Sequence, residues 1–315
     1  MIKLKLISFT VLLVFSGSAA FAFGTINSLG QHAEHEKITR LGLAKFGIGR
    51  KTMDEIAGKR GTYGAVGAPD KLNRGLISVS EAHCDNGDSL KKRSYPQSKA
   101  QAAAKLSRCR QWIFRWFNKA VKLADALVDQ NGRLTREGAV TEFSCKFNGK
   151  SGSVKCRVLG AMGVVFHAAQ DFYSHTNWTD VNPKSDVGRK NPPGLGHRGP
   201  APWIQPGANT KFPAGLISGC FGGVPEIAFC RKRIKHSYLN KDTGKINPKS
   251  GAIGAGKTKR GKVNGNFSRA VRAAIKDTEN KWRYLESRLV SKYGPHRGKV
   301  MICVLRSDRP DRCDR

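Results

Sequence analysis

The sequence predicts an all-α fold, a multi-helix bundle whose helices are joined by long, disulfide-tied loops. Apolar residues repeat with helical spacing most clearly in three stretches, at residues 97–129, 156–178 and 266–293. All eight cysteines lie beyond the first 22 residues, and an even number is enough for four bridges. The roughly 290 residues that follow the first 22 suffice for one domain with a substantial core. We therefore expect a single domain over residues 23–315, ending in a charged C-terminal tail.

The first half of the chain should contain two clear helices. Residues 35–47 carry apolar side chains at helical spacing and end in glycine, which is typical of a short amphipathic helix. Residues 47–95 are rich in glycine and charge and should be mostly irregular, with a short helix. Alanine, leucine, tryptophan and phenylalanine form a broad stripe over residues 97–129, which predicts one long helix.

The second half should alternate helices with long loops. Residues 140–156 contain Asn-Gly and further glycines, which favour a small hairpin or a disulfide-closed loop. A helix should cover residues 156–178, and the proline- and glycine-rich residues 181–215 should form a loop. Residues 266–293 predict a last helix, and the final twenty residues should be held, if at all, by their two cysteines.

One further segment carries a misleading motif. Residues 251–258 read Gly-Ala-Ile-Gly-Ala-Gly-Lys-Thr, which fits the phosphate-binding pattern G-x4-G-K-[ST]. That motif requires a buried strand before it and a helix after it, whereas polar, glycine-broken segments flank it here. We therefore interpret residues 251–258 as a flexible basic loop.

The first 22 residues have the organisation of a secretion signal. Lys3 and Lys5 precede an apolar run, and Ala20-Phe21-Ala22 is a small-x-small cleavage site, which would make Phe23 the mature N-terminus. The alternative is an uncleaved anchor, but the run is short for a membrane span and no later stretch approaches that length. We expect a secreted or periplasmic protein with no transmembrane segment in the mature chain.

The cysteines are expected to form a disulfide framework. Pairing close neighbours in sequence joins Cys145 to Cys156, Cys220 to Cys230 and Cys303 to Cys313, and leaves Cys84 with Cys109. Eight cysteines allow 105 pairings, so the sequence leaves the connectivity open. A zinc–cysteine site is the competing interpretation, but the chain has no C-x-x-C pair.

The chain is strongly basic. Its formal net charge is +33, which becomes +31 without the two lysines of the signal. Such a charge favours anionic partners, namely phospholipid headgroups, nucleic acid or acidic wall polymers. Solubility, or a generally basic exported proteome, would account for it equally well.

The most informative motif is His167-Ala-Ala-Gln-Asp171-Phe-Tyr-Ser-His175. Residues four apart lie on one helix face, so two imidazoles and a carboxylate should share it. The residues just before His167 are apolar nearly all round, as in a buried helix. Burying three such groups is costly unless something pairs them, and they are good ligands for Zn²⁺. The alternative is a core helix whose histidines bond to backbone.

Four stretches resemble the zinc-dependent phospholipase C and single-strand nuclease superfamily, most closely its heterokaryon-incompatibility C-like branch. The resemblance spans positions 23–242 with long unmatched gaps. It is carried by Phe23-Gly24 with His35-Glu-Lys-Ile-Thr39, by His83-Cys-Asp-Asn86, by the helix His167–Trp178, and by Ser218-Gly-Cys-Phe221 with His236-Ser-Tyr-Leu-Asn-Lys-Asp242. It implies an all-α bundle of zinc-dependent phospholipase C type that binds two or three zinc ions.

The resemblance also implies a ligand set. Phe23, through its free amino group and carbonyl, and His35 would hold one ion, and Asp171 would bridge to a second. His83, His167 and Asp70 would complete the second site, and His175, His236 and Asp242 would hold a third ion. Asp85 is an alternative to Asp70, and His32 to His35. The spacings from Asp171 to His175 and from His236 to Asp242, both at the third site, depart from the family's.

The implied chemistry is hydrolysis of a phosphoric ester. Adjacent zinc ions activate water and neutralise charge on a phosphodiester, and Asp70 could accept the proton of that water. We expect a phospholipase C-like zinc phosphodiesterase whose substrate is a phospholipid headgroup rather than nucleic acid, with peripheral membrane-surface contact. The alternatives are a single-strand nuclease of the same fold and a non-catalytic, metal-stabilised toxin or interaction protein.

Overall fold

A computed structural model describes residues 23–28, 30–59, 61–141, 144–147, 152–181, 186–221 and 229–314. The predicted secretion signal, residues 1–22, lies outside the described residues. Among the described helices, none combines the length and apolar character that crossing a membrane would require.

The described chain is mainly helical. The first half contains α1 (Glu34–Leu43), α2 (Arg50–Ala57), α3 (Gly64–Gly67), α4 (Ser80–His83) and α5 (Lys99–Ala124). The second half contains α6 (Val154–His175), α7 (Lys259–Lys262), α8 (Asn266–Tyr293) and α9 (Pro295–Arg306). Two short strands, β1 (Gly244–Ile246) and β2 (Ile253–Gly256), pair antiparallel.

The predicted long helices are confirmed. α1, α5, α6 and α8 fall on the four predicted segments, and α8 matches its predicted range of 266–293. Ser98 caps α5 by accepting a hydrogen bond from the backbone of Gln101, whose side chain accepts one from the Ser98 backbone in return. α5 ends earlier than expected, at Ala124, and a 3₁₀ turn continues it to Leu127.

Three predictions need correction. Residues 47–95 contain α2, α3 and α4, more helix than expected. The presumed C-terminal tail begins with α9, whose Val300, Met301, Val304 and Leu305 are buried on one face despite the surrounding charge. Residues 251–258 include β2, so this segment is half of a hairpin rather than a flexible loop. The described chain is therefore mainly rather than entirely α-helical.

α6 is the central helix of the bundle. All of its residues except Arg157 are buried, as its apolar composition predicted. It packs against α5 and α8 along their length and against α3 near its middle. Gly163 permits the last contact, because a Cβ there would lie 2.4 Å from the carbonyl carbon and oxygen of Ala65. This close approach brings the backbone of α3 to the polar face of α6.

Four disulfides tie the loops to the helices. They join the four pairs expected from proximity in sequence: Cys84–Cys109, Cys145–Cys156, Cys220–Cys230 and Cys303–Cys313. The second of these closes the segment for which a hairpin was the other possibility; residues 142–143 and 148–151 of that segment lie outside the described residues. A framework of this kind is typical of proteins that fold in an oxidising compartment outside the cytoplasm.

Candidate metal centre

α6 presents the three motif side chains on one buried face, as predicted. His167 and Asp171 are fully buried and His175 is 1% exposed. The helix ends directly after them, because Thr176 adopts an extended conformation. The motif therefore lies in the last two and a half turns of the central helix, where segments from other parts of the chain meet it.

Five side chains form what we call the first cluster: His35, Asp70, His83, His167 and Asp171. Asp171 lies between the three imidazoles. Its Oδ1 is 3.2 Å from His35 Nε2, and its Oδ2 is 2.9 Å from His83 Nδ1 and 3.2 Å from His167 Nε2. Asp70 Oδ1 approaches the same group, at 3.5 Å from His167 Nε2 and 3.9 Å from His83 Nδ1.

Each imidazole of the first cluster is oriented by its other ring nitrogen. His167 Nδ1 donates to the Val66 carbonyl of α3 (2.9 Å), and His83 Nε2 donates to the Leu76 carbonyl (3.2 Å). His35 Nδ1 donates to the side-chain oxygen of Gln170 (2.7 Å), and the Gln170 amide in turn donates to Thr39 and Thr278. These contacts turn the remaining nitrogen of each ring toward the cluster, which is how metal-binding histidines are normally held.

Four side chains form the second cluster: Asp85, His175, His236 and Asp242. Each imidazole lies between the two carboxylates. His236 is 3.1 Å from both Asp85 Oδ1 and Asp242 Oδ2, and His175 is 3.4 Å from Asp85 Oδ1 and 3.3 Å from Asp242 Oδ1. Gly219 permits this arrangement, because a Cβ there would lie 2.4 Å from His236 Cα.

The two clusters are adjacent. Asp171 and His175 are one helical turn apart on α6, and the His83 carbonyl accepts a hydrogen bond from His175 Nδ1 at 2.7 Å. Gly24 connects them a second time, because its carbonyl accepts from the His35 backbone (3.1 Å) while its N–H donates to the Asp242 carbonyl (3.4 Å). Phe23 is buried beside them, with its ring edge-on to His35 at 5.9 Å between centroids.

The structure separates two pairs of sequence alternatives. Asp70 and Asp85 do not compete for one position, because Asp70 belongs to the first cluster and Asp85 to the second. His35 rather than His32 reaches the first cluster, since His32 is half-buried and contacts the Lys257 amine at 2.5 Å. In our sequence interpretation Asp85 was an alternative to Asp70, a position suggested by its adjacency to His83; the structure places it with His175 and His236 instead.

In the first cluster, burial and the nearby carboxylates have opposite effects on the pKa values of the histidines. Burial alone would lower the pKa of His35 and of His83, but the carboxylates, chiefly Asp171, outweigh it and raise both pKa values. At His167 burial prevails and lowers the pKa. The surrounding imidazoles hold the pKa of Asp171 well below its usual range despite complete burial.

The second cluster is more uniformly charged. Although burial disfavours the charged forms, Asp85 and Asp171 raise the pKa of His175 well above its usual value. Asp85 and Asp242 likewise raise the pKa of His236 to about 9, against burial and the neighbouring His175. In return, the two histidines hold the pKa of Asp85 and of Asp242 below the usual carboxyl range.

The donor atoms fit divalent metal ions of the zinc type. Four ligands held at 2.0–2.1 Å in a tetrahedron are about 3.3 Å apart, and the imidazole–carboxylate distances above span 2.9–3.9 Å. Three sets of ligand atoms lie within 4.8 Å of one another: His35/Asp70/His167, His83/His167/Asp171 and Asp85/His175/His236. Imidazole and carboxylate donors together suit zinc and other borderline cations.

Unsatisfied polar atoms support the same interpretation. Buried polar groups normally have hydrogen-bond partners. Within the described part of the chain, four buried cluster atoms have none: His35 Nε2, Asp70 Oδ2, Asp171 Oδ1 and His175 Nε2. A cation bound among these atoms would supply the missing partner.

A basic groove lies along the first half of α6, and no residue of either cluster lines it. A cavity of about 300 Å³ is lined by side chains of α5 and α6 and by Arg74, four residues beyond Asp70. Its lining combines basic with apolar and aromatic side chains and includes Arg74, Trp116, Lys119, Phe147 and Arg157. A second cavity shares Lys119 and Arg157 and extends the groove along α5. In the structure as described, Lys119 and Arg157 have no carboxylate within ion-pair distance.

Comparisons with models of protein families, with curated proteins and with solved structures find no match to this chain.

Proposed function

We propose that this protein is an exported, zinc-dependent phosphoric-ester hydrolase of phospholipase C type, folded as a bundle of that class. One observation carries the proposal: ligand side chains from five separate segments converge in two adjacent buried clusters that share α6. Stability of the core alone does not explain this arrangement. Each buried histidine and carboxylate costs free energy unless it is paired, so apolar residues would serve a core helix better.

The first cluster would hold one or two ions through His35, His83, His167 and Asp171, and the second would hold one through His175, His236 and the carboxylates beside them. The amino group of Phe23 remains a predicted ligand of the first. Bound zinc would supply an activated water and neutralise charge on the phosphate. Asp70 is the residue we assign to accept the proton, because its Oδ2 has no partner among the described residues and it is, at 7%, the most exposed cluster member.

The basic groove supports an anionic substrate. Uncompensated cations around a concave surface raise the local concentration of anions and increase their rate of association. Its lining includes Arg74, four residues beyond Asp70, and no residue of either cluster, so it would attract an anionic partner to a surface separate from the clusters.

Exposed Leu72 favours a lipid substrate over nucleic acid. This side chain is 84% exposed, lies two residues beyond Asp70 and directly follows Lys71. An exposed apolar side chain next to a cation suits an anionic bilayer surface, into which it can insert. A nucleic acid would gain nothing from it, which makes a phospholipid headgroup the preferred substrate and peripheral membrane contact the expected mode of access.

The depth of the clusters favours a second candidate function. All nine side chains are buried, and none is more than 7% exposed. A metal enclosed in this way can act as a folding element, as in structural zinc sites, without access for a substrate. The second candidate is therefore a metal-stabilised toxin or interaction protein.

Metal content and turnover of protein beginning at Phe23 test the proposal. We expect two or three zinc ions per chain, hydrolysis of nitrophenyl phosphorylcholine and of phospholipid vesicles, and little hydrolysis of single-stranded DNA. His167→Ala should abolish both zinc at the first cluster and turnover, whereas the matched control His32→Ala should change neither. Bound zinc without turnover on any of these substrates would favour the metal-stabilised protein, and absence of zinc would refute both candidates.

A further inference from the structure

We propose that the Cys84–Cys109 disulfide positions ligands of both clusters at once, so that metal binding at the two sites depends on one covalent bond. The inference rests on the proposed function in one respect, that the clusters bind metal. It concerns a residue pair that contributes no ligand atom of its own.

In the sequence, Cys84 lies between a residue of the first cluster and a residue of the second. His83, immediately before it, contacts Asp171 and His167 of the first cluster at 2.9 and 3.1 Å. Asp85, immediately after it, contacts His236 and His175 of the second at 3.1 and 3.4 Å. A shift of the Cys84 backbone would therefore displace a ligand at both sites in the same movement.

The backbone around Cys84 adopts a conformation that it would not favour on its own. Cys84 has φ 55° and ψ 32°, and Asn86 has φ 69°. The left-handed region is unfavourable for a residue with a side chain relative to the right-handed helix. The reversal at Cys84 ends α4 and sends the side chains of His83 and Asp85 to different clusters, so the strained turn is what divides the ligands.

The disulfide links this turn covalently to α5 of the helical bundle. Cys109 lies in the middle of α5, which packs along α6, and both half-cystines are fully buried. A second link between the same segments, the Glu81–Arg108 ion pair at 3.0 Å, is partly exposed. Because solvent and salt weaken such a pair, the covalent bond is the stronger restraint on the turn.

The Cys303–Cys313 disulfide provides a matched comparison. It joins α9 to the C-terminal residues and contains no half-cystine adjacent to a cluster residue in sequence. Both disulfides close short loops, of 25 and 10 residues in sequence separation, so removing either should release a similar amount of chain entropy in the unfolded state. A difference between them in metal binding would then reflect position rather than general stabilisation.

Zinc titration of three double variants tests the proposal. We expect Cys84→Ala/Cys109→Ala to weaken zinc binding at both clusters by about 10–100-fold, the loss seen when groups that orient metal ligands are removed. Cys303→Ala/Cys313→Ala should bind zinc as the wild type does. Cys84→Gly/Cys109→Ala should recover much of the lost affinity, because glycine adopts positive φ without steric cost. A disulfide that acted only on overall stability would show no such recovery.

Each outcome of the titration is decisive. Absence of zinc from the wild-type protein would refute the proposed function rather than the role of this bond. Unchanged affinity in Cys84→Ala/Cys109→Ala, equal losses in both alanine pairs, or no recovery with glycine would overturn the positioning role. If Cys84→Ala/Cys109→Ala does not fold, folding and zinc binding by the glycine variant would support it. Failure of both to fold would overturn it in favour of general stabilisation.

Discussion

The two clusters are built from the same two residue types but are satisfied in different ways. In the second, each histidine lies between two carboxylates, so charges of opposite sign alternate within 3.1–3.4 Å. In the first, one carboxylate, Asp171, serves three imidazoles, while Asp70 Oδ2 has no partner among the described residues. The first cluster therefore contains three buried polar atoms without a hydrogen-bond partner among the described residues (His35 Nε2, Asp70 Oδ2 and Asp171 Oδ1), and the second contains one, His175 Nε2.

This difference indicates which cluster depends more on a bound cation. A buried ion-pair network whose hydrogen bonds are mostly made, as in the second cluster, depends less on a further partner, although it adds little net stability. A buried carboxylate oxygen without a partner carries its full desolvation cost. We therefore expect the first cluster to account for most of the stability that metal binding contributes, and the second to retain its geometry when metal is removed.

Replacing Asp171 should have the largest effect, because it is the only carboxylate within 3.2 Å of all three imidazoles of the first cluster among the described residues. Asp171→Asn keeps the side-chain shape but removes the charge. Breaking a buried charged network typically costs about 3–5 kcal/mol, so we expect a loss of that size in the free energy of unfolding together with loss of zinc from the first cluster.

Chemical denaturation and metal analysis measure both effects of Asp171→Asn. Asp186→Asn is the matched control, because the Asp186 side chain is exposed and lies outside both clusters. Full zinc content in Asp171→Asn would contradict the proposed difference between the clusters, since zinc binding at the first cluster would then not require the Asp171 carboxylate.

Single histidine replacements should show whether the clusters act independently. His167→Ala should remove zinc from the first cluster, and His236→Ala should remove one ion from the second. We expect the first replacement to lower the melting temperature of zinc-loaded protein more, because the second cluster retains an internal ion pair between His175 and its carboxylates. Zinc stoichiometry and thermal unfolding of each variant provide the measurement; simultaneous loss of all zinc from either one would mean that the clusters form a single cooperative site.

The sequence was most informative where the geometry is local. Helical spacing alone placed His167, Asp171 and His175 on one face, because i, i+4 neighbours share a face in any α-helix. The division of His83 and Asp85 between clusters could not be predicted in this way, since it depends on a left-handed turn at Cys84 that the tertiary structure maintains. The membership of the more distant ligands, His35 and His236, came from a family resemblance and not from spacing.

Dependence on tertiary contacts also explains which elements of the fold were not predicted from the sequence. α9 was missed because basic residues in Pro295–Arg306 obscure the buried face formed by Val300, Met301, Val304 and Leu305. The β1–β2 hairpin was missed because its glycine-rich strands lack the alternating apolar pattern of a half-buried sheet, and β2 is mostly exposed. In both cases packing against a neighbour, rather than local propensity, decides the structure.

The opposite end of α6 extends the comparison to a buried lysine, which interacts electrostatically with Asp308, Glu55 and Lys51. Lys155 donates to Thr52 Oγ1 (2.8 Å) and the Ser307 carbonyl (2.6 Å), and burial lowers its pKa to about 7. Between pH 7 and the pKa of about 10.4 of an unfolded lysine, the unfolded chain binds more protons than the native one, so stability should rise with pH.

Lys155→Met removes this titration with little change in volume. We expect the stability of the wild type relative to Lys155→Met to increase by about 2 kcal/mol between pH 7 and pH 9, and to be independent of pH below about pH 6. Denaturant unfolding of both proteins across this range, with zinc removed, gives the measurement. A difference that stayed constant, or that fell as pH rose, would contradict the protonation change at Lys155.

The smallest effect should come from the basic groove, whose lining contains no residue of either cluster. Lys119→Glu reverses one charge on the groove rim without touching either cluster. Because a single exposed charge is screened by solvent and salt, we expect a few-fold weaker binding to anionic vesicles and a higher KM, with zinc content unchanged. Lys249→Glu makes the same change in net charge at an exposed site near the hairpin and should leave both values as they are. Equal losses in the two variants would assign the attraction to the overall positive charge of the chain rather than to the groove.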